Sequence, residues 1–275
     1  MRGRGGFVMD FGMPALVELP DLEDCGALCR ELGLQFIELN MNLLQYQPDR
    51  IDRDRLKAIR EEYGVYFTIH LDENLNPADF NPHIAQAYRQ TAEDAIALAA
   101  ELGMPVLNMH LSPGIHFKLP GRKVDLFSVY REEYLESMGC FRDRCEEAIG
   151  TADIRICVEN TDGYRDFQRM ALDLLLESPV FALTFDVGHN YGAGGGDEAE
   201  ILRWRERLIH FHLHDAKGAW CHLPFGEGEL DLPQYFRLAE SQNGRAVLEV
   251  KNVEGLRQSV RWLRSKTQFC GKSSF

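Results

Sequence analysis

The chain has 275 residues, 45% of them hydrophobic, with 30 Lys and Arg against 43 Asp and Glu, a formal charge of −13. That length suits one (β/α) barrel or two smaller domains, and no stretch is long and apolar enough to span a bilayer. The acidic balance speaks against broad binding to nucleic acid, and seven cysteines without a CxxC pair or a disulfide framework read as reduced thiols of a cytoplasmic protein.

Asp10 and Glu18 interrupt the apolar start, so no signal peptide is expected. Short apolar runs then alternate with amphipathic segments of helical period. Phe7 to Phe11 is the first strand candidate. Asp21 caps a helix that Gly33 stops, Gln35 to Leu39 is the second strand, and Asp52 to Tyr63 is a helix closed by Gly64. Val65 to His70 is the third strand. Asn81-Pro82 opens the longest helix, ended by Gly103, and Met104 to His110 is the fourth strand. Leu111 to Phe127 lacks periodicity and reads as a long, functional loop before a helix over Ser128 to Ile149.

The rhythm continues with strands at Ile154 to Glu159, Phe181 to Asp186, Leu208 to His214 and Arg245 to Glu249. Helices are expected over Asp166 to Glu177, Asp197 to Arg207, Leu232 to Ser241 and Leu256 to Lys266. Eight βα units without a composition break predict an α/β fold, a single (β/α)8 TIM barrel over 1–275 with parallel strands and an outer ring of helices, frayed at about 1–6 and 267–275. An open doubly wound sheet is disfavoured, because no Gly-rich phosphate fingerprint follows the first strand.

In such a barrel the chemistry sits at the C-terminal ends of the strands. Those ends carry His70, His110, Glu159, Asp186 with His189 just beyond, His212 and Glu249. In LIHFHLHDAKG, His210, His212 and His214 alternate with Ile209, Phe211 and Leu213, an imidazole-rich face that an ordinary exposed strand would not carry. Carboxylates and imidazoles converging in one mouth require charge compensation, and a divalent cation supplies it. Oxygen and nitrogen donors without thiolate suit zinc or manganese, at one or two ions per chain.

The motifs ENTDGY (159–164), FDVGHN (185–190), HLHDAKG (212–218) and VLEVKN (247–252) resemble those of the xylose isomerase-like TIM barrels, a superfamily of sugar isomerases, epimerases and endonuclease IV. The resemblance implies a single-metal epimerase site at Glu159, Asp186, His212 and Glu249, with Glu159 and Glu249 also acting as acid and base. It matches His70, His110, His189 and His222 to further zinc ligands of endonuclease IV. That enzyme's third zinc also needs an aspartate where this chain has Trp220, which leaves a two-metal site open.

Two enzymatic readings follow. The favoured one is proton transfer on a sugar or sugar phosphate, with Asn160, His214 and Lys217 as substrate-binding candidates and His189 and His222 at hydroxyls. A loop around Ile115, His116, Phe117 and Leu119 is expected to close over the pocket. The runner-up is zinc-dependent phosphodiester hydrolysis at abasic sites in DNA. The loop Asn40 to Pro48 has no basic residue, and Lys118, Arg122 and Lys123 form the only basic cluster near the mouth, which argues against gripping a duplex. A barrel that binds metal or sugar without turnover is the third reading. The full ligand set speaks against it. Cys221 is expected to be a buried packing thiol.

Overall fold

A computed structural model describes residues 9–266. The frayed ends expected at 1–6 and 267–275, together with Phe7, Val8 and Cys270, lie outside the described residues. The barrel strands are β1 (Asp10–Pro14), β2 (Phe36–Asn40), β3 (Tyr66–His70), β4 (Val106–His110), β7 (Arg155–Glu159), β8 (Phe181–Asp186), β9 (Leu208–Leu213) and β12 (Arg245–Leu248). They close in the order β1-β12-β9-β8-β7-β4-β3-β2. The fold is the eight-stranded parallel barrel with surrounding helices that the sequence predicts.

Two antiparallel hairpins add β5 (His116–Leu119) with β6 (Arg122–Asp125), and β10 (Asp215–Lys217) with β11 (Trp220–Leu223). The first replaces most of the irregular loop expected over 111–127. Its turn is Pro120-Gly121, with Gly121 at φ +76°, a conformation that glycine adopts without strain.

The chain divides into two compact units: the described residues of Met1–Leu39, Asp52–Phe67 and Thr184–Phe275, and those of Asn40–Ile51 and Thr68–Leu183. Within the first unit, β12 lies between β1 and β9, pairing Val247 with both Gly12 and His212. A Cβ at Gly12 would overlap the Phe36 ring on β2, so glycine permits that close approach. In β9 all residues except the half-buried Ile209 are buried. Both faces of a barrel strand are covered, so the histidine face is interior rather than exposed.

Within the second unit, β4 pairs with β7 from Val106↔Arg155 to His110↔Glu159, which aligns these two strand ends side by side. The long helix Pro82–Leu102 is capped as predicted, with Asn81 accepting from His83 N at 3.1 Å and Gly103 closing it at φ +66°. In the first unit, by contrast, Asp21 occupies the cap position of the helix Leu22–Glu31 without capping it, and points instead to Arg55 at 3.3 Å. The last helix, Val253–Ser265, starts before the expected Leu256 because Asn252 accepts from Gly255 N at 2.7 Å.

Candidate metal centre

In the first unit, donor atoms of Asp186, His212 and Glu249 lie within 4.8 Å of one another. Asp186 ends β8, His212 lies on β9 and Glu249 follows β12; all three are buried. Asp186 Oδ1 accepts the backbone N–H of His189 at 2.7 Å, because the short helix Val187–Gly192 begins directly after the strand. The expected helix over Asp197 to Arg207 comes later and shorter, as Glu198–Arg203.

His212 is flanked by carboxylates on both ring edges. Nε2 is 2.9 Å from Glu38 Oε1. Nδ1 is 3.1 Å from Glu249 Oε2 and 3.9 Å from Asp186 Oδ2. A neutral imidazole has one proton, and the shorter contact places it on Nε2. The Nδ1 lone pair then faces two carboxylates, a repulsive arrangement that a cation at their focus turns into a ligand set. Glu249 Oε2 is buried and makes no hydrogen bond, which fits the same assignment. The donor set therefore fits a divalent metal.

Glu249 Oε1 accepts from Lys251 Nζ at 2.8 Å. Burial raises the Glu249 pKa, but His212, Lys251 and His222 outweigh it and hold the carboxyl well below its usual range. Glu38 behaves alike: burial opposes ionisation, and His212 and His210 prevail.

In the second unit, Glu159 ends β7 and is buried. Its Oε2 accepts from Asn108 Nδ2 and lies 3.1 Å from His110 Nε2 and 3.4 Å from His70 Nε2. The His70 and His110 rings meet edge to face at 4.9 Å. His70 Nδ1 is 2.8 Å from Leu71 O, which places its proton there and turns the Nε2 lone pair toward Glu159. Asn160 is fully buried next to Glu159.

His189 and His222, half-buried, stand with rings 5.5 Å apart at 85°. His222 has φ +56°, its N–H donates to His214 Nδ1 at 2.8 Å, and its Nδ1 lies 3.1 Å from Glu249 O. Burial lowers its pKa to about 4, so the ring is neutral near pH 7. His214, expected at the substrate, is fully buried behind Asp186, with Nε2 on that carboxylate. Lys217 is exposed, 3.6 Å from Glu229. Trp220 is 75% exposed on its hairpin, and Ile115, Phe117 and Leu119 are exposed on theirs. Cys221 corrects its expectation: it is exposed, because the hairpin β10–β11 carries it out of the core.

The sequence reading missed Glu38, Asn108 and Lys251. Glu38 had a signal, a lone carboxylate inside the apolar run FIEL of a strand predicted to be interior.

The sequence profile of the xylose isomerase-like TIM barrel family matches residues 27–266. A putative L-ribulose-5-phosphate 3-epimerase of Escherichia coli K12 is 24% identical over 280 residues, which cover 89% of this chain and 91% of that protein. The crystal structure of a D-tagatose 3-epimerase-like protein superposes with a TM-score of 0.77 at 23% identity, covering 95% of this chain and 98% of that one. The structure of D-allulose 3-epimerase from Methylomonas sp. with D-allulose gives a TM-score of 0.68 at 18% identity, with 94% and 96% covered. The chain belongs to the xylose isomerase-like TIM barrel family.

Proposed function

We propose that this protein is a divalent-metal-dependent isomerase or epimerase of a ketose or ketose phosphate, with Glu159, Asp186, His212 and Glu249 as metal ligands. The carrying observation is the His212 Nδ1 edge set between Asp186 and Glu249. The strands β7, β8, β9 and β12 are consecutive in the barrel order, and each supplies one ligand at or near its C-terminal end, which supports Glu159 as the fourth. The relatives named for L-ribulose-5-phosphate and D-allulose support the substrate class.

A divalent cation in this set, zinc or manganese by its donors, would polarise a ketose carbonyl and its neighbouring hydroxyl and so acidify the adjoining C–H. Glu249, ionised and hydrogen-bonded by Lys251, takes that proton, and Glu159 delivers one to the opposite face. Asn108 and His110 orient the Glu159 carboxylate. Neutral His222 and its neighbour His189 bind substrate hydroxyls, Asn160 lines the site, and Lys217 at the rim meets a phosphate where the substrate carries one.

The test is incubation of D-allulose and L-ribulose 5-phosphate with metal-loaded protein in deuterated water, followed by NMR. Epimer formation with deuterium on the carbon beside the carbonyl is the expected result. Product formation without deuterium, or no conversion of any ketose tried, contradicts the proposal.

One observation favours a second reading: His70 and His110 stand beside Glu159 as a second-metal set of the hydrolase type. Metal-dependent cleavage of an abasic-site duplex would establish it in place of the first.

A further inference from the structure

Three buried side chains of the first unit form a chain whose role the proton-transfer scheme does not explain. Glu38 on β2 reaches His210 Nε2 with Oε2 at 2.9 Å and His212 Nε2 with Oε1 at 2.9 Å. All three residues are buried, His210 and His212 completely. A carboxylate so placed is expensive to bury without partners, and here each of its oxygens faces one imidazole edge.

We propose that Glu38 is a positioning residue for the metal. It holds the proton of His212 on Nε2 and the ring plane fixed, so that Nδ1 is the ligand atom aimed between Asp186 and Glu249. The inference rests on the metal-dependent reading of the site.

The geometry leaves His212 little alternative while Glu38 is a carboxylate. Its two oxygens accept and cannot donate, and a neutral His212 has one hydrogen to place, which goes to the shorter of its carboxylate contacts, the one to Glu38. Were the His212 proton on Nδ1, a bare Nε2 would stand 2.9 Å from Glu38 Oε1, and an N–H would occupy the metal's direction. His210 is the brace. Its Nε2 donates to the second oxygen, stopping the carboxylate from rotating away from His212. Partners of this kind behind a ligating histidine set the tautomer and orientation, and losing one costs about 10–100-fold in metal affinity.

The substitution Glu38→Gln tests this. A glutamine offers one acceptor and one donor group, so one of the two histidines must move its proton or lose its partner. Metal affinity is measured by titrating Mn(II) or Zn(II) into chelator-treated protein, with far-UV circular dichroism as the fold control. The expected result is that wild type binds the ion and folded Glu38→Gln binds it about 10–100-fold more weakly. Equal affinity, within threefold, overturns the role of Glu38 while leaving the metal site standing. No binding by wild type overturns the metal reading itself, and this inference with it.

Should Glu38→Gln fail to fold, 15N NMR of histidine-labelled wild type decides. Neutral His212 protonated on Nε2, with its Nδ1 signal moving on addition of diamagnetic Zn(II), supports the proposal. Protonation on Nδ1 overturns it.

Discussion

The imidazole of His214 faces both carboxylate oxygens of Asp186, with Nε2 3.0 Å from Oδ1 and 3.1 Å from Oδ2. Its Nδ1 accepts the His222 N–H, so its proton is on Nε2 and directed at the Asp186 carboxylate, the proposed metal ligand. Gly188 makes the room, because a Cβ there would overlap the His214 ring.

Gly188→Ala should therefore displace His214 from Asp186. Forcing a methyl into a packed interior costs roughly 1–3 kcal/mol, seen as a lowered urea midpoint. His214→Phe should weaken metal binding by about 10–100-fold, because Asp186 loses its orienting donor. Metal titration of each variant checks both. A Gly188→Ala protein with unchanged stability and affinity would show that the ring is not confined.

Glu249→Gln and Glu159→Gln should each lower kcat by about 10²–10⁴-fold with the fold intact, the range for loss of one general acid or base. Steady-state kinetics on the ketose that turns over, with circular dichroism as control, is the measurement. Lys251→Met removes a cation from Glu249, so the Glu249 pKa should rise and the acidic limb of kcat/KM should move to higher pH. An unmoved limb would detach Glu249 from the base role.

Acid should destabilise the chelator-treated protein from about pH 6.5 downward. Burial lowers His222 to about 4 and also lowers His210, so over that window the unfolded chain binds protons that the folded chain refuses. Stability is full above the ordinary histidine pKa and is lost as pH falls toward 4. The depressed carboxyls of Glu38 and Glu249 extend the loss below 4.5. Thermal melts from pH 8 to 4 should show this fall, and His222→Gln should flatten it. A melting temperature constant down to pH 4.5 would refute the assignment.

Asp215 has a different task from the histidines it follows. Its Oδ1 accepts from Ala216 N at 2.9 Å and Leu230 N at 3.1 Å, and Oδ2 accepts from Gly226 N at 2.9 Å. It ties down the loop after the β10–β11 hairpin. Asp215→Ala should cost at least about 2 kcal/mol in chemical denaturation, since backbone N–H groups lose a buried charged acceptor. A loss under half that value would mean the loop holds itself.

The barrel was legible because seven of its strands read as apolar runs between capped helices, and because His70, His110, Glu159 and Asp186 close their strands as the pattern says. Of the first strand expected at Phe7 to Phe11, Phe7 and Val8 lie outside the described residues; the observed strand Asp10–Pro14 runs three residues past the expected end, since a terminal proline hides a strand end. His210, His212 and His214 share one face in the sequence pattern but meet different partners: His210 contacts Glu38, His212 lies between Glu38 and Glu249, and His214 contacts Asp186. One-dimensional alternation assigns a side, not a depth. Lys251 and Asn108 were illegible for the same reason, because their partners Glu249 and Glu159 become neighbours through side-chain reach and strand register.

Glu159, Asp186, His212 and Glu249 are proposed to hold one divalent cation. Elemental analysis of protein purified without chelator or a nickel column tests it most directly, for wild type and for His212→Ala. About one manganese, zinc or similar ion is expected per wild-type chain and near none in the variant. An undiminished ion in His212→Ala, or no ion retained by wild type after dialysis against Mn(II) or Zn(II), would contradict it.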